Sequence, residues 1–298
     1  MSETILVTGA DGFIGRHLVP ALAAQGHRVE RHTRQNGDIV HASLSYAGVT
    51  HVFHLAARTF VPESWTHPFA FYETNVLGTV NVLEFCRRHR ASLTLVSSYV
   101  YGAPQQLPVP ELHPLQAFNP YAHSKILAEE AASYYSKQFG IRVAIVRPFN
   151  VYGPGQGERF LIPSLIQQAL SPTCNTIAIQ DPRPRRDYLY VTDFIGLLLK
   201  LLEHRPSDTY NAGSGVSVSI QQLVDLINSL LSVNKSISST GMPRQEEILD
   251  VAADVRKAWE QLHWNPSTSL EAGLRRMIDT MAAAPLDRPE ERGSPAAR

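Results

Sequence analysis

Tyr121 and Lys125 stand four residues apart in the run Asn119-Pro120-Tyr121-Ala122-His123-Ser124-Lys125. On a helix this spacing places a phenol and an ammonium on one face, about one turn from each other. Asn119 can cap that helix and Pro120 can take its first position, so the phenol sits at the helix entrance. An ammonium fixed beside a phenol favours the phenolate. Bringing a tyrosine from its ordinary pKa of ~10 towards neutrality asks roughly 3–5 kcal/mol of the lysine and its surroundings, which a partly desolvated site can supply. The result is a proton donor and acceptor matched to a sugar hydroxyl or ketone. Tyr and Lys at this spacing also occur by chance on surface helices, so the pair gains meaning only from the rest of the chain.

The positioning elements begin at once. Ile5-Leu6-Val7 is an apolar run followed by Thr8-Gly9-Ala10-Asp11-Gly12-Phe13-Ile14-Gly15. A helical pattern with Ile14, Leu18 and Leu22 on one face comes next. The order is strand, glycine turn, helix. Gly9 permits the tight turn, Gly12 lets backbone N–H groups approach a pyrophosphate, and Gly15 lets the helix pack closely on the strand. Asp11, Phe13 and Ile14 complete a loop of cofactor-binding type. Short apolar strands, expected at 4–8, 28–32, 51–55, 93–97 and 142–146, alternate with helical stretches and predict a right-handed parallel sheet.

After Asn150 the pattern loosens. A helix is expected over about 160–170, then a strand at Ile177-Ala178-Ile179 and another at Tyr188 to Val191. A helix follows from Asp193 to Glu203. Ser219 with Gln222 forms a capping box opening a helix over 220–231. The organisation expected is a dinucleotide-binding domain over 1–150 with returns near 186–213. A smaller substrate lobe spans most of 151–281, and a disordered tail covers 282–298. The cleft between the lobes, at the carboxyl ends of the strands, is the expected ligand site.

Composition narrows the classes. The 298 residues carry a formal net charge of zero, without the basic footprint of a nucleic-acid binder. No apolar run approaches the ~20 residues of a membrane span. The two cysteines, Cys86 and Cys174, have neither disulfide nor metal spacing and are expected as free thiols in a reducing cytoplasm. The twelve histidines are scattered rather than grouped as ligands, and no metal site is expected.

Seven stretches together resemble the extended short-chain dehydrogenase/reductases of the nucleotide-sugar epimerase/dehydratase branch. They are Thr8 to Gly15, His54-Leu55-Ala56-Ala57, Asn75 to Thr79, Ser97 to Gly102, Tyr121 to Lys125, Arg147 to Pro154 and Arg186-Asp187-Tyr188. The resemblance runs from about residue 4 to 280. It implies a Rossmann-type doubly wound α/β sheet with an interleaved C-terminal lobe, an NAD(P) cofactor, a nucleotide-diphosphate sugar as substrate and a homodimer. It also implies roles residue by residue. Ser97, Tyr121 and Lys125 are the catalytic set; Ser98, which strand alternation turns to the opposite face, is the less favoured partner and is kept as a substrate contact. Asn75 supports the lysine. Asp38 and Ile39 touch the adenine, Leu55, Ala56, Ala57 and Pro148 line the cofactor, and Asn150, Arg186 and Arg244 hold the sugar diphosphate. Ile177 and Ile179 are expected beside the base. The dimer is expected through the helices around 75–90 and 121, with Val76, Val80, Leu83, Phe85, Ile126, Leu127 and Tyr134 as its apolar face.

Two departures from the family pattern narrow the chemistry. Where NAD binders of the family place a ribose-binding acid at the end of the second strand, this chain has Thr33, followed by Arg34, a pair suited to a 2′-phosphate. NADP is therefore expected, with NAD the alternative. Dehydratases and decarboxylases carry an acid just after the catalytic Ser/Thr, and here Ser98-Tyr99 stand instead, which disfavours elimination. The stretches 55–63 and 147–156 resemble GDP-4-keto-6-deoxy-mannose reductase. The expected activity is NADPH-dependent reduction of a 4-keto-6-deoxy sugar nucleotide. An NAD-dependent 4-epimerase is the alternative, and an inactive binding protein of the same fold a third.

Overall fold

The computed structural model describes residues 2–242 and 247–283. Alternation of short strands and helices gives β1 (Thr4–Thr8), α1 (Phe13–Ala24), β2 (Arg28–His32) and β3 (Val49–His54). Next come α2 (Val61–Thr66), α3 (Pro68–Tyr72), a π-helical turn over Glu73–Leu77, α4 (Gly78–His89) and β4 (Ser92–Val96). α5 (Pro120–Phe139), β5 (Val143–Pro148) and β6 (Asn150–Tyr152) follow. The rest is α6 (Leu161–Leu170), β7 (Thr176–Ile179), β8 (Arg185–Tyr190), α7 (Val191–His204), β9 (Thr209–Ala212), β10 (Ser217–Ser219), α8 (Ile220–Leu231), β11 (Ser236–Ser239), α9 (Arg256–Leu262) and α10 (Leu270–Ala282).

Six strands form one sheet in the order β2-β1-β3-β4-β5-β9, every pair parallel. Alternate residues of β1 serve two cores. Ile5 and Val7 pack with Leu18, Leu22, Leu197, Leu198 and Leu201, whereas Leu6 packs with Val82, Leu83, Phe85 and Ala132. A sheet covered on both faces needs apolar residues at both parities, and this is why β1 reads as an unbroken apolar run. At ~25 cal/mol per Å² of apolar surface, each such fully buried side chain contributes about 1.5–3 kcal/mol before entropy is counted.

The strand expected at 188–191 starts earlier, at Arg185, and sits in a separate three-stranded sheet ordered β10-β8-β6. β7 and β11 form a two-stranded parallel ribbon. The Ser219–Gln222 capping box is present in both directions and opens α8. Asn119 caps α5 through Ala122 N–H at 2.7 Å, and the helix stops at Gly140 in the left-handed conformation (φ 69°). Helix α10 carries the chain through Ala282, one residue into the segment expected as tail; the remainder of that expectation, 284–298, lies outside the described residues. No helix among the described residues is long and apolar enough to cross a membrane. Cys86 is buried and its thiol is pushed up to about 12 by that burial, while Cys174 is half-buried; both are free thiols.

Candidate active site

The glycine loop is built for close approach. A Cβ on Gly9 would lie 2.7 Å from Ala56 N, and one on Gly15 would lie 2.5 Å from the carbonyl oxygens of Gly9 and Ala10. The first contact presses the turn against Leu55-Ala56; the second lets α1 lean on the strand end. Gly12 caps α1 without any side-chain hydrogen bond. The first-turn N–H groups, those of Phe13 and Ile14 among them, are left for an anion, and the helix dipole favours one there. A dinucleotide pyrophosphate fits this cradle. Thr8 ties the floor together: its hydroxyl oxygen accepts from Ala56 N–H at 3.3 Å and lies 2.7 Å from His54 Nδ1. Thr79 donates to Asn75 C=O at 2.6 Å, so His54 must donate from Nε2 to Thr79, 3.1 Å away, and accept from Thr8 at Nδ1. Burial, helped by the nearby Lys125 charge, lowers His54 to about 3 and keeps it neutral in this chain of contacts.

At the adenosine end, β2 stops at His32, and Thr33 caps the short 3₁₀ turn Arg34–Asn36. Arg34 is exposed and, among the described residues, has no ion-pair partner. Glu30 is taken by Arg28 at 2.8 Å, and Asp11 of the glycine loop pairs with Arg31. Asp38 accepts from Val40 N–H at 2.9 Å. Ile39 is buried and packs on Gly78, where a Cβ would come within 2.9 Å of it.

The catalytic candidates converge, with corrections. Lys125 is buried and donates to Val96 C=O at 2.7 Å, the last residue of β4, immediately before Ser97. Burial lowers its pKa to about 8. Burial also raises Tyr121, and the Ser98 hydroxyl is the polar neighbour that opposes the rise. Tyr121 is half-buried and shares one face of α5 with Lys125, one turn further along. Ser98 was expected on the opposite face, but β4 ends at Val96 and strand alternation no longer governs its direction. Ser97 Oγ is buried and has no hydrogen-bond partner among the described residues. A hydroxyl in that state costs free energy until a ligand meets it. Phe71 closes the edge of the Tyr121 ring, with centroids 6.2 Å apart at 75°.

Asn75 lies in the π-helical turn, a device that recurs at functional sites. Its amide donates to Ser124 Oγ at 2.9 Å and to Arg58 C=O at 3.1 Å, and accepts from Arg58 N–H at 2.9 Å. It braces α5 and the 55–58 loop through these contacts, while the lysine itself bonds to Val96. Ala57 and Pro148 are half-buried along the same strand ends.

At the sugar-diphosphate end, Asn150 donates to Asp187 C=O at 3.1 Å. Arg186 donates to Ile248 C=O at 2.6 Å and Arg185 C=O at 2.9 Å, and pairs with Glu247. A phosphate would therefore meet an arginine already engaged by an acid. Arg183 pairs with Asp181 at 2.8 Å, and Arg185 with Asp250 at 3.2 Å. Arg244 lies outside the described residues. Ile177 is wholly buried in the core, and Ile179 packs against that core half-buried.

Sequence reasoning missed several supports. Asp187 is fully buried and accepts from the N–H groups of Ser214, Gly215 and Ala253, at 2.6 to 2.9 Å. Glu129 and Arg147 form a buried ion pair at 2.6 Å. Its signal was available: Glu129 follows Lys125 by one further helical turn.

Comparison with known proteins now decides the family. Residues 5–213 match the model of the NAD dependent epimerase/dehydratase family. The chain belongs to that family. It is 30% identical to GDP-6-deoxy-D-mannose reductase of Pseudomonas aeruginosa, over 93% of this chain and 97% of that one. It is also 30% identical to UDP-glucuronic acid decarboxylase 1 of Xenopus tropicalis, over 93% of this chain and 71% of the relative. Among solved structures, the UDP-glucose 4-epimerase of Thermotoga maritima with UDP-glucose superposes with a TM-score of 0.86 at 26% identity, covering 94% and 98% of the two chains. The RMD protein of Pseudomonas aeruginosa complexed with NADPH gives 0.85 at 30%, covering 94% and 97%. Family and Rossmann-type fold agree with the sequence reading, and the family is one of NAD(P)-dependent enzymes that includes both epimerases and reductases.

Proposed function

We propose that this protein reduces the 4-keto group of a nucleotide-diphosphate 4-keto-6-deoxyhexose, with NADPH as reductant. The observation that carries this reading is the end of β2, where Thr33 closes a turn and Arg34 follows, without an ion-pair partner among the described residues, at the position where an acid would hold an adenosine ribose. A free guanidinium there suits a 2′-phosphate. The relative of known reductase name and the neighbour holding NADPH agree with it.

NADPH, when bound, supplies the hydride that adds to sugar C4. The chain's own residues do the rest. The first turn of α1, with Gly9, Gly12 and Gly15, holds the pyrophosphate. Ser97 donates its unpartnered hydroxyl to the carbonyl oxygen, polarising it. Tyr121 gives its proton to the same oxygen as it becomes an alkoxide, and the Lys125 ammonium, one turn along α5, favours the phenolate that remains, with the Ser98 hydroxyl beside it. Asn150 and Arg186 hold the sugar diphosphate, with Arg186 exchanging Glu247 for phosphate.

A second reading is a redox-neutral 4-epimerase retaining NAD, favoured by the match to the Thermotoga maritima enzyme. A panel of sugar nucleotides, followed by NADPH absorbance and product sugar together, separates the two. We also place a homodimer on the α4–α5 face. Leu83 and Phe85 are core residues and drop out of the expected patch, which leaves Leu77, Tyr134 and Phe139 exposed, beside half-buried Val76, Val80, Ile126 and Leu127.

A further inference from the structure

Helix α5 carries Tyr121, Lys125 and Glu129 at successive turns, so the three share one face. Glu129 is buried, and Arg147 of β5 meets it with Nε at 3.1 Å from both carboxylate oxygens and Nη2 at 2.6 Å from one. The same guanidinium donates through Nη1 to Tyr101 Oη at 3.1 Å and to Glu111 C=O at 3.0 Å. Tyr101 in turn donates to Asn211 of β9 at 2.6 Å. Arg147 therefore ties together the helix of Tyr121, the segment that follows Ser97 and the strand end that carries Pro148. Nothing in the proposed reaction uses either member of the pair.

We propose that Glu129 and Arg147 are positioning residues for the catalytic lysine: Glu129 supplies the negative charge that keeps Lys125 an ammonium, and Arg147 keeps that buried carboxylate charged and aligned. Burial drives Lys125 down to about 8, and Glu129 is the charge that opposes it. The other groups facing Lys125 do not substitute for it. His54 of β3 is neutral, lowered to about 3, Tyr121 on the same helix is half-buried with its phenol raised by burial, and Val96 of β4 offers a neutral carbonyl. Arg147 has a second task by the same physics. A buried carboxylate without a partner takes up a proton rather than stay charged, so removing Arg147 would silence Glu129 as effectively as amidating it. The inference rests on the catalytic reading of Lys125, and its test is read on the lysine directly.

The chain has five lysines, Lys125, Lys137, Lys200, Lys235 and Lys257. Carbon-13 lysine labelling therefore gives a titration of Lys125 by NMR, identified with Lys125→Met. Glu129→Gln and Arg147→Met should each move that titration down by about one pH unit, the lower end expected for loss of an opposite charge one turn away. Arg147→Lys should restore most of it. Glu129→Gln/Arg147→Met leaves no unpaired buried charge, so it keeps the test open even if a single variant fails to fold, and it should show the same downward shift. The alkaline limb of kcat/KM should fall by the same interval. An unmoved Lys125 in Glu129→Gln and in the double variant would overturn the proposal. So would an upward shift in Arg147→Met, which would mean that Glu129 stays charged without its partner. A shifted NMR titration with an unshifted rate profile would instead keep the pair and remove Lys125 from the reaction.

Discussion

Lys125 donates its ammonium proton to the carbonyl of Val96 at 2.7 Å, and Val96 is the residue before Ser97. One contact thus ties the helix that carries the candidate acid to the strand end that carries the candidate polarising hydroxyl. The lysine acts here as a structural bridge as well as a charge. With both groups held by buried backbone, little reorganisation is needed when a sugar enters, and this preorganisation is where such sites gain most of their rate.

Tyr121→Phe removes only a hydroxyl from a ring already packed against Phe71. Turnover should fall on the order of 100-fold or more, while cofactor affinity changes little. Steady-state kinetics with a fluorescence titration of the dinucleotide checks both halves. Rates near wild type would remove Tyr121 from the chemistry.

Arg34→Ala should weaken NADP(H) roughly 10- to 150-fold and NAD(H) hardly at all, since a charge-assisted contact to the extra phosphate is worth about 1.5–3 kcal/mol. Isothermal titration with both dinucleotides measures the difference. Equal losses for the two cofactors would show that Arg34 does not read the phosphate.

Both residues are legible in the amino-acid sequence, for local reasons. Glycines at tight spacing, an Asn-Pro helix start and a Ser-x-x-x-Tyr-Gly strand end are local signals, carried by backbone sterics and capping. Five strands of the main sheet followed from alternation of apolar runs and helices, whereas the sixth, β9 (Thr209–Ala212), did not. Directions of side chains beyond a strand end did not follow, and Ser98 was misplaced for that reason. Partners brought together by topology were equally hidden. Arg186 meets Glu247 from 61 residues away, and no spacing rule announces that this arginine is occupied. The π-helical turn that lets Asn75 reach Ser124 left no mark in the pattern of residues either.

Stability should depend on pH through two buried histidines. His51 and His54 are lowered to about 3 by burial, against 6.5 for the exposed group. The unfolded chain therefore binds more protons than the folded one between these values, so stability rises with pH across that window and is lost as pH falls below about 6.5. By pH 5 each histidine should cost about 2 kcal/mol relative to pH 7. Urea unfolding at both pH values measures this, with His51→Gln expected to flatten the dependence. A variant as acid-sensitive as wild type would assign the loss to other groups.

Leu77→Glu/Tyr134→Glu places two charges on the exposed α4–α5 face without touching the buried core. Light scattering should find a dimer in the wild type at micromolar concentration and a monomer in the variant. A wild-type monomer would contradict the assembly.

The reductase reading stands or falls on stoichiometry. Purified protein, NADPH and a nucleotide-diphosphate 4-keto-6-deoxyhexose should yield one oxidised cofactor for each 6-deoxyhexose formed, followed by absorbance and product chromatography in the same sample. Conversion of a nucleotide hexose to its C4 epimer, by protein carrying tight NAD and with added NADPH untouched, would contradict it.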